Sequence, residues 1–252
     1  MNSPFAYIGG KSRLAKQIIS IIPDHKTYCE AFSGAAWVFF KKPPSKVEVL
    51  NDLDNDLITF YRVVQNHLEE FLKQFKWLLT SREWFQDWKD QLEVRGMTDI
   101  QKAARYYYVQ RLSFGGKVRS RTYGVQIDRA VPRINLLRIE EEMSMVHLRL
   151  ALVRIENLKW QDLIKRYDRP DTFFYCDPPY HGHPDYKHNL ALEDYIEMAK
   201  ILSGIKGKFI LSINDNPEMR SVFKAFKIKP VSLLYSVGKK PTKAKELIIT
   251  NF

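Results

Sequence analysis

The feature that most constrains the fold is the stretch FFYCDPPYHG at 173–182, where a buried-strand pattern ends abruptly. The aromatic and apolar run FFYC is typical of a strand inside a sheet. Two successive prolines can continue neither a strand ladder nor a helix, so the strand has to end at Asp177. An acid followed by a rigid turn and Tyr180 presents a fixed hydrogen-bond acceptor beside a flat ring. The structural alternative is a strand end whose Asp177 only caps a turn.

The amino-terminal segments have the order of a βαβ unit. Helical spacing covers KSRLAKQIISII at 11–22, and TYCEAF at 27–32 predicts a strand. A loop that enters a helix, SGAAWVFFKK at 33–42, separates it from a second predicted strand, KVEVLND at 46–52. Such a connection implies parallel strands and an α/β fold.

The carboxy-terminal half supplies the remaining strands. Short runs at 157–160 (NLKW), 173–176 (FFYC) and 208–214 (KFILSIN) predict strands, and EDYIEMAKILSGI at 193–205 predicts a helix between the last two. The terminal segments KPVSLLYSVG and KELIITNF predict an antiparallel pair that closes the sheet edge. Between the two groups of strands, 58–155 predicts a mostly helical insertion that contains a hairpin or extended loop, SFGGKVRSRTYGVQ at 113–126.

The insertion is strongly basic. The chain carries a formal net charge of +11, and the segment 102–138 holds nine basic residues against one acid, Asp128. The basic residues are Lys102, Arg105, Arg111, Lys117, Arg119, Arg121, Arg129, Arg133 and Arg138. Such a cluster predicts a polyanion site, and nucleic acid is the commonest partner of this kind. The alternative is a solvated basic face without a partner.

Composition excludes several other classes. A hydrophobic fraction of 45% and a charged fraction of 27% are those of an ordinary globular protein. The longest clean apolar run, AAWVFF at 35–40, is far too short to cross a bilayer, and the first residues lack the apolar core of a signal peptide, so we expect a cytoplasmic protein. Two cysteines, Cys29 and Cys176, permit neither a disulfide framework nor a cysteine zinc site. Both are expected to be free and buried.

Three loops are predicted to converge at the strand ends. Ser33, Gly34 and Ala35 form a tight turn before a helix, where small residues let a ligand approach the backbone. Asp52 ends the second strand, where an acid can accept hydrogen bonds from a ribose diol, and its neighbours Asp54 and Asn55 are available as helix caps. The third loop is Asp177–Tyr180.

Two further motifs do not match the sites that they suggest. YIGGKSR at 7–13 is not a phosphate loop, because position 5 is Phe where that motif needs glycine, although Lys11 can hold a carboxylate. The histidines at 181, 183 and 188 match no zinc spacing, so we expect no metal.

Taken in order, these motifs resemble those of the Dam-type DNA adenine-N6 methyltransferases, which use S-adenosylmethionine. The family's aromatic-x-Gly-Gly-Lys opening matches 7–11, its Glu-Pro-Phe-x-Gly-x-Gly loop matches 30–36, its acidic strand end matches 51–52, and its Asp-Pro-Pro-Tyr matches 177–180. Two residues depart from the pattern: Ala31 replaces a proline, and Ala36 replaces the second glycine of the loop. Since Ala36 adds a methyl group in a tight loop, it could weaken cofactor binding.

The resemblance implies a Rossmann-like methyltransferase sheet, mostly parallel with an antiparallel carboxy-terminal strand, and a helical target-recognition domain inserted into it. Residues 1–57 and 156–252 would form the catalytic domain, and 58–155 would recognise DNA. The implied catalytic residues are Asp177, Pro178, Pro179 and Tyr180. The implied cofactor-binding residues are Tyr7, Gly9, Lys11, Phe32, Ser33, Gly34, Ala35, Asp52 and Asp177. Lys117, Arg119, Arg121, Tyr123, Arg129 and Arg133 are expected to contact DNA, with Tyr123 as a stacking or wedge residue.

The implied reaction moves a methyl group from S-adenosylmethionine to N6 of a flipped adenine in double-stranded DNA, without a metal. The recognition segment differs from that of the best-known Dam enzymes, so a GATC target is not assumed. Alternatives are methylation of cytosine N4 or of adenine in RNA, and a nucleic-acid-binding protein of this fold that has lost catalysis. The expected partner is duplex DNA rather than a membrane, with a cognate restriction endonuclease as a further candidate and a monomer or weak dimer as the assembly.

Overall fold

A computed structural model describes residues 1–7, 9–124, 134–183, 186–235 and 242–252, without the side chains of 233–235 and 242–244. In this part of the chain one mixed sheet has the strand order β3-β2-β1-β4-β5-β7-β6. The strands are β1 Thr27–Glu30, β2 Val47–Asn51, β3 Arg154–Glu156, β4 Thr172–Cys176, β5 Lys208–Asn214, β6 Lys227–Tyr235 and β7 Thr242–Thr250. Strands β1 to β5 pair with one another in parallel, and β7 pairs antiparallel with both β5 and β6. The predicted α/β sheet with an antiparallel carboxy-terminal pair is confirmed.

Helices connect the strands and build the insertion. They are α1 Ala15–Ile19, α2 Trp37–Lys41, α3 Asn55–Asn66, α4 Leu68–Lys73, α5 Arg82–Gln91, α6 Asp99–Leu112, α7 Ile139–Leu150, α8 Trp160–Tyr167, α9 Leu192–Ser203 and α10 Pro217–Val222. Short 3-10 turns cover Phe114–Gly116 and Leu136–Arg138. The helix predicted over 11–22 is shorter than expected, because turns flank the five residues of α1. Asp54 caps α3 by accepting a hydrogen bond from Asp56 N at 3.2 Å, as the sequence predicts.

Both faces of the sheet are buried, which explains the unbroken apolar run of β4. Phe173 and Tyr175 pack into the core under the insertion, whereas Phe174 and Cys176 pack into the core on the side of α8 and α9. This alternation follows from the two-residue period of a strand. Cys29 lies on the same face as Cys176, and both are free and buried, as predicted.

The strand predicted for NLKW at 157–160 is wrong. The edge strand β3 lies just before it, at Arg154–Glu156, and Trp160 begins α8 instead. Side chains at the end of β2 bind this stretch: Asn51 Oδ1 accepts a hydrogen bond from Leu158 N at 2.8 Å, and Asn51 Nδ2 donates to Leu158 O at 3.1 Å. Since the backbone of Leu158 is satisfied by a side chain, it does not extend the ladder.

The insertion is anchored firmly to the sheet. Arg149 of α7 pairs with Glu48 of β2 and donates a hydrogen bond to Phe39 O at 3.0 Å. Its guanidinium lies 3.6 Å from the centre of the Phe39 ring, and Lys42 binds the same glutamate at 2.5 Å. Burial and two cations on Glu48 make this cluster costly to break. The insertion helices therefore have a fixed position relative to the strand ends.

Candidate active site

A cavity of about 330 Å³ opens at the carboxyl ends of β1, β2 and β4, where the sequence predicts three loops to meet. Its walls come mainly from five stretches: residues 30–38, 51–54, 158–161, 177–179 and 186–190. The amino-terminal residues Tyr7, Gly9, Gly10 and Lys11 close one side. A cavity of this size suits a small molecule or cofactor.

Asp177 lines the cavity and directly follows β4. Its Oδ1 is 2.6 Å from Lys11 Nζ and accepts a hydrogen bond from Ser212 Oγ at 2.9 Å. Ser212 in turn shares a hydrogen bond of 2.8 Å with the Tyr175 hydroxyl. Burial raises the pKa of Asp177 to about 6, although the nearby ammonium of Lys11 opposes that rise. At neutral pH the group is therefore mainly an ionised acceptor in a fixed orientation.

Lys11 is almost fully buried, with 3% of its surface exposed. Besides Asp177, its ammonium donates to Gly9 O at 2.9 Å and lies 4.0 Å from Glu246. It also lies 4.6 Å from the centre of the Tyr180 ring. A buried ammonium needs such partners to offset its desolvation. The chain thus places Lys11 at the boundary between the cavity and Tyr180.

Side chains from α9 and from the end of β5 bind the turn that carries Pro178, Pro179 and Tyr180. The Tyr195 hydroxyl of α9 donates to Pro179 O at 2.6 Å, and Asn214 Nδ2 at the end of β5 donates to His181 O at 3.2 Å. The Tyr180 ring lies 6.4 Å from the Tyr186 ring. Because two neighbouring elements hold the turn, its acceptors and ring keep a defined position.

The glycine loop after β1 passes close under Tyr7. Gly34 has φ +46°, and a Cβ atom there would lie 3.3 Å from the Tyr7 ring. The Gly34 amide donates to Asp52 Oδ2 at 2.9 Å, and its carbonyl accepts from the Tyr61 hydroxyl at 2.8 Å. Ala36, in the same loop, has φ +50° and is the one non-glycine residue with positive φ in the described part of the chain. Glycine is favoured at both positions.

Asp52 faces the same cavity from the end of β2. Its second oxygen, Oδ1, accepts from the Asp54 amide at 3.0 Å. Burial raises the pKa of Asp52 to about 6 in spite of the amides that bind its ionised form. Phe32, Ser33 and Ala35 line the cavity next to it, so the structure brings the predicted loops of β1 and β2 together.

Glu30 is a cavity residue that the sequence did not single out as part of the site. It is 1% exposed, and its Oε1 accepts from the Tyr28 hydroxyl at 2.5 Å and from Phe39 N at 2.8 Å. Burial raises the pKa of Glu30 to about 8, so the group is mostly protonated at pH 7. The available signal was an acid that ends an otherwise apolar strand.

One wall of the cavity is aromatic and was also missed, because its residues lie in the segment 157–160, for which the sequence predicts a strand. Trp160 and Leu158 line it, and the Phe32 ring lies 6.4 Å from the Trp160 ring. Asn157 Nδ2 donates to Asp52 O at 2.8 Å and so joins this wall to the end of β2. Flat apolar faces beside a carboxylate suit a nucleoside.

Residues after the DPPY turn form part of the cavity rim. The Tyr186 hydroxyl packs against Gly9, where an added Cβ would lie only 2.5 Å from it. Lys187 Nζ binds Asp54 Oδ1 and Asp56 Oδ2, both at 2.7 Å. Tyr186 and Lys187 therefore hold this rim in place over the cavity, through contacts to the glycine pair and to the start of α3.

Comparison with known proteins identifies the fold family. The family model described as D12 class N6 adenine-specific DNA methyltransferase matches residues 7–237. The chain belongs to that family. It is an adenine-specific DNA methyltransferase. This assignment favours adenine in DNA as the substrate over cytosine N4 and over adenine in RNA.

Individual relatives agree with this assignment. The Type II methyltransferase M1.LlaDCHI of Lactococcus lactis subsp. cremoris is 27% identical over 99% of this chain and 95% of its own length. The Type II methyltransferase M.MjaIII of Methanocaldococcus jannaschii is 22% identical over 98% and 97% of the two chains. The DNA adenine methylase of Escherichia coli K12 is 22% identical over 92% and 87%.

In this methyltransferase the basic loop of the insertion runs from Ser113 to Gly124. A bridge between Ser113 and Tyr123 closes it, which agrees with the predicted extended loop. Its root is fixed by Gln110, whose Nε2 donates to Ala6 O at 3.0 Å and to Gly116 O at 2.9 Å. Gly116 has φ +68°, and a Cβ atom there would be 2.8 Å from the Ala6 and Tyr7 backbone. The loop is therefore joined to the segment that leads into Tyr7.

The predicted DNA-binding residues of the methyltransferase have different surroundings. Arg119 is exposed and Lys117 is half-buried. The guanidinium of Arg121 lies 5.5 Å from the Tyr106 ring, so this side chain packs against α6. Tyr123 packs edge-on against Phe85 at 5.5 Å, which makes it part of the loop's support. The predictions for Arg129 and Arg133 lie outside the described residues.

Two further findings concern metals and membranes. Among the described residues of the methyltransferase, no group of three or more His, Cys, Asp or Glu side chains could hold a metal ion. A search of the same residues finds no helix long and apolar enough to span a bilayer.

Proposed function

We propose that the cavity binds S-adenosylmethionine and that Asp177 and its turn accept the target adenine. The observation that carries this proposal is the position of Asp177, an oriented carboxylate in the cavity wall, at the start of the turn that carries Tyr180. Bound S-adenosylmethionine would supply a methyl group on a positively charged sulfur. Everything else in the reaction falls to side chains and backbone groups of this chain.

The residues present fit such a cofactor. Lys11 is a buried cation within reach of a carboxylate, and Tyr7 with Gly9 forms the adjacent wall. Asp52 has acceptor oxygens suited to a ribose diol. Phe32, Ser33, Gly34 and Ala35 form the wall between them, and the Trp160 side offers flat apolar faces for an adenine ring. Different walls of the cavity thus match the carboxylate, the ribose and the adenine ring of the cofactor.

Asp177 and Pro178 would activate the target amine. The amino nitrogen of adenine is a weak nucleophile, because its lone pair is delocalised into the ring. The Asp177 carboxylate and the Pro178 carbonyl would each accept one N–H hydrogen bond, which returns electron density to the nitrogen. A proton leaves this nitrogen after methyl transfer, and Asp177 is the nearest base. Pro179 holds the turn through the Tyr195 hydrogen bond.

Tyr180 would stack on the flipped adenine. The target amino group is inaccessible inside the base stack, and rotating the base out costs a few kcal/mol. An aromatic platform next to Asp177 offsets part of this cost. The contacts of the Tyr180 ring with Lys11 and Tyr186 support this role, since they set the ring's position.

The insertion, residues 58–155, would hold the duplex, with 1–57 and 156–252 as the catalytic domain. Lys117 and Arg119 would contact phosphates or guanine edges, together with Arg129 and Arg133. Arg121 and Tyr123 would support the loop as well as approach DNA. A single protein chain suffices for this chemistry, and a weak dimer is compatible with it.

The Type II names of two relatives support a restriction-modification setting for this methyltransferase. In that setting a cognate endonuclease would cut the same sequence when it is unmethylated. Genomic DNA as the substrate fits a cytoplasmic location. Cleavage of unmodified DNA, but not of DNA treated with this protein, by a neighbouring endonuclease would test the partnership.

The central experiment is incubation with labelled S-adenosylmethionine and unmethylated genomic DNA, followed by sequencing that maps N6-methyladenine. We expect label in one short motif, and none with Asp177→Ala. Cofactor and DNA binding are measured in parallel for both proteins. If both proteins bind cofactor and DNA and neither transfers label, the catalytic assignment is wrong.

A further inference from the structure

The segment 76–84, which runs from the end of the α4 region into the first turn of α5, exposes an unusual amount of aromatic and apolar surface. Trp77 is 87% exposed, Leu79 is 71% exposed and Trp84 is 44% exposed. Together with Lys76 and Arg82, these residues are termed the tryptophan surface. Large apolar side chains grouped in this way on a globular protein mark an interaction site.

The tryptophan surface rests on a rigid base. Phe75 and Trp84 both pack edge-on against buried Trp88, at 6.2 and 5.9 Å between ring centres. Trp88 packs against Tyr108 of α6 at 4.8 Å. The Tyr108 hydroxyl donates to Leu79 O at 2.9 Å, which fixes the backbone that carries the exposed side chains. The exposure of Trp77 and Leu79 is thus a property of a supported segment.

The same surface is continuous with the basic loop. Arg82, at the start of α5, lies with its guanidinium 5.1 Å from the centre of the Tyr123 ring. Phe85 packs edge-on against the same ring, and Tyr123 is bridged to Ser113 at the root of the loop. A partner bound to Arg119 would therefore extend towards the tryptophan surface.

We propose that the tryptophan surface binds the same DNA duplex beside the target site. Lys76, which lies 5.4 Å from the Trp77 ring, and exposed Arg82 supply positive charge for phosphates. Trp77 and Leu79 are apolar groups of the kind that enter a minor groove or wedge between base steps. These contacts bind or bend the DNA that flanks the target and so favour extrusion of the target base. The inference rests on the proposed position of DNA on the insertion.

The charges favour DNA over a second copy of the chain as the occupant. In a two-fold symmetric contact the same patch of each subunit faces the other. The surface carries two exposed cations, Lys76 and Arg82, against one exposed acid, Glu83, so two net-positive patches would face each other, and like charges in an interface oppose association. A duplex presents the complementary charge instead.

The test compares Trp77→Ala/Leu79→Ala with the parent protein, using equilibrium binding to a duplex of about three helical turns that contains the target. We expect a dissociation constant about tenfold higher for the variant. Hydroxyl-radical footprinting should show lost protection on one side of the target and retained protection at the target itself. A second variant, Lys76→Gln/Arg82→Gln, should reduce the log-log salt slope by about one to two.

Leu148→Ala/Leu152→Ala is the matched control, because both leucines are exposed, at 73% and 96%, on and after α7. This control should bind DNA as the parent does. Normal binding and footprint by Trp77→Ala/Leu79→Ala, with weakened binding by Arg119→Ala, would overturn this inference alone. Normal binding by all of these variants would overturn the DNA position on the insertion as well. A parent dimer that dissociates in Trp77→Ala/Leu79→Ala, with an unchanged footprint, would assign the surface to self-association instead.

Discussion

At the scale of single residues, Ala36 carries a backbone conformation that favours glycine. Its φ of 50° and ψ of 42° lie in the left-handed region, which costs an L-residue about 1 kcal/mol. Ala36→Gly removes that strain, although glycine also increases the entropy of the unfolded chain. We expect a net gain of up to about 1 kcal/mol in the free energy of unfolding, measured with urea, and tighter cofactor binding.

Ala35→Gly is the matched control for this prediction. Ala35 is 3% exposed, lines the same cavity and lacks a positive φ. Its replacement adds chain entropy without relieving strain, so it should lose about 0.5–1 kcal/mol. Equal destabilisation by both substitutions would show that Ala36 stores no strain.

Asp177 and Lys11 predict a shift in the pH dependence of catalysis. The carboxylate acts as an acceptor only when ionised, and its pKa is about 6, so kcat/KM should fall about tenfold per pH unit below that value. Lys11 lowers this pKa through its charge and hydrogen bond. Lys11→Met should therefore move the acid limb of the profile to higher pH.

Asp52 is a second carboxyl with a pKa of about 6, and the variant Asp52→Asn tells its titration apart from that of Asp177. Because Asp52 is proposed to bind the ribose of the cofactor, its loss should raise KM for the cofactor and leave the acid limb of kcat in place. An acid limb that disappears in Asp52→Asn but stays fixed in Lys11→Met would assign the titration to Asp52.

At the scale of elements, α6 joins the basic loop to the segment that leads into Tyr7 through one buried glutamine, Gln110. Gln110→Leu would remove the hydrogen bonds to Ala6 O and Gly116 O and leave both carbonyls unpaired. We expect a loss of about 1–3 kcal/mol in unfolding free energy and weaker DNA binding. Gln86→Leu, an exposed glutamine of α5 bonded to Asp90, should change stability by no more than about 0.5 kcal/mol. If Gln110→Leu is less stable but binds DNA as the parent does, the position of the basic loop does not determine DNA binding.

The same scale shows what the sequence could predict. Strands such as FFYC and KFILSIN are apolar on both faces and have local signatures, so their bounds follow from the chain alone. The error at NLKW arose because its partner is the Asn51 side chain, about a hundred residues earlier in the chain. Contacts between distant segments, such as Lys11 with Asp177 or Arg82 with Tyr123, leave no periodic pattern. The three converging loops were predictable, whereas the aromatic wall and the tryptophan surface were not.

At the scale of the whole molecule, three carboxyls with raised pKa are grouped at the carboxyl ends of the sheet. Burial raises the pKa of Glu30 from 4.5 to about 8, and those of Asp52 and Asp177 from 3.8 to about 6. The unfolded chain releases these protons near pH 4, but the native protein retains them to higher pH. Since the native state then binds more protons, stability falls as pH rises through this window. Glu48 has a lowered pKa, so its contribution is already complete above about pH 5.

Glu30 dominates the upper part of that window, which makes the effect measurable. Between pH 6 and pH 8 we expect the unfolding free energy of the parent protein to fall by about 3 kcal/mol, measured from urea transitions at each pH. Glu30→Gln keeps a neutral hydrogen-bonding side chain and should flatten the dependence above about pH 7. Glu140→Gln, at an exposed position of α7, should keep the parent's slope. A parent protein that gains stability from pH 6 to pH 8 would contradict a protonated Glu30 beneath the cavity.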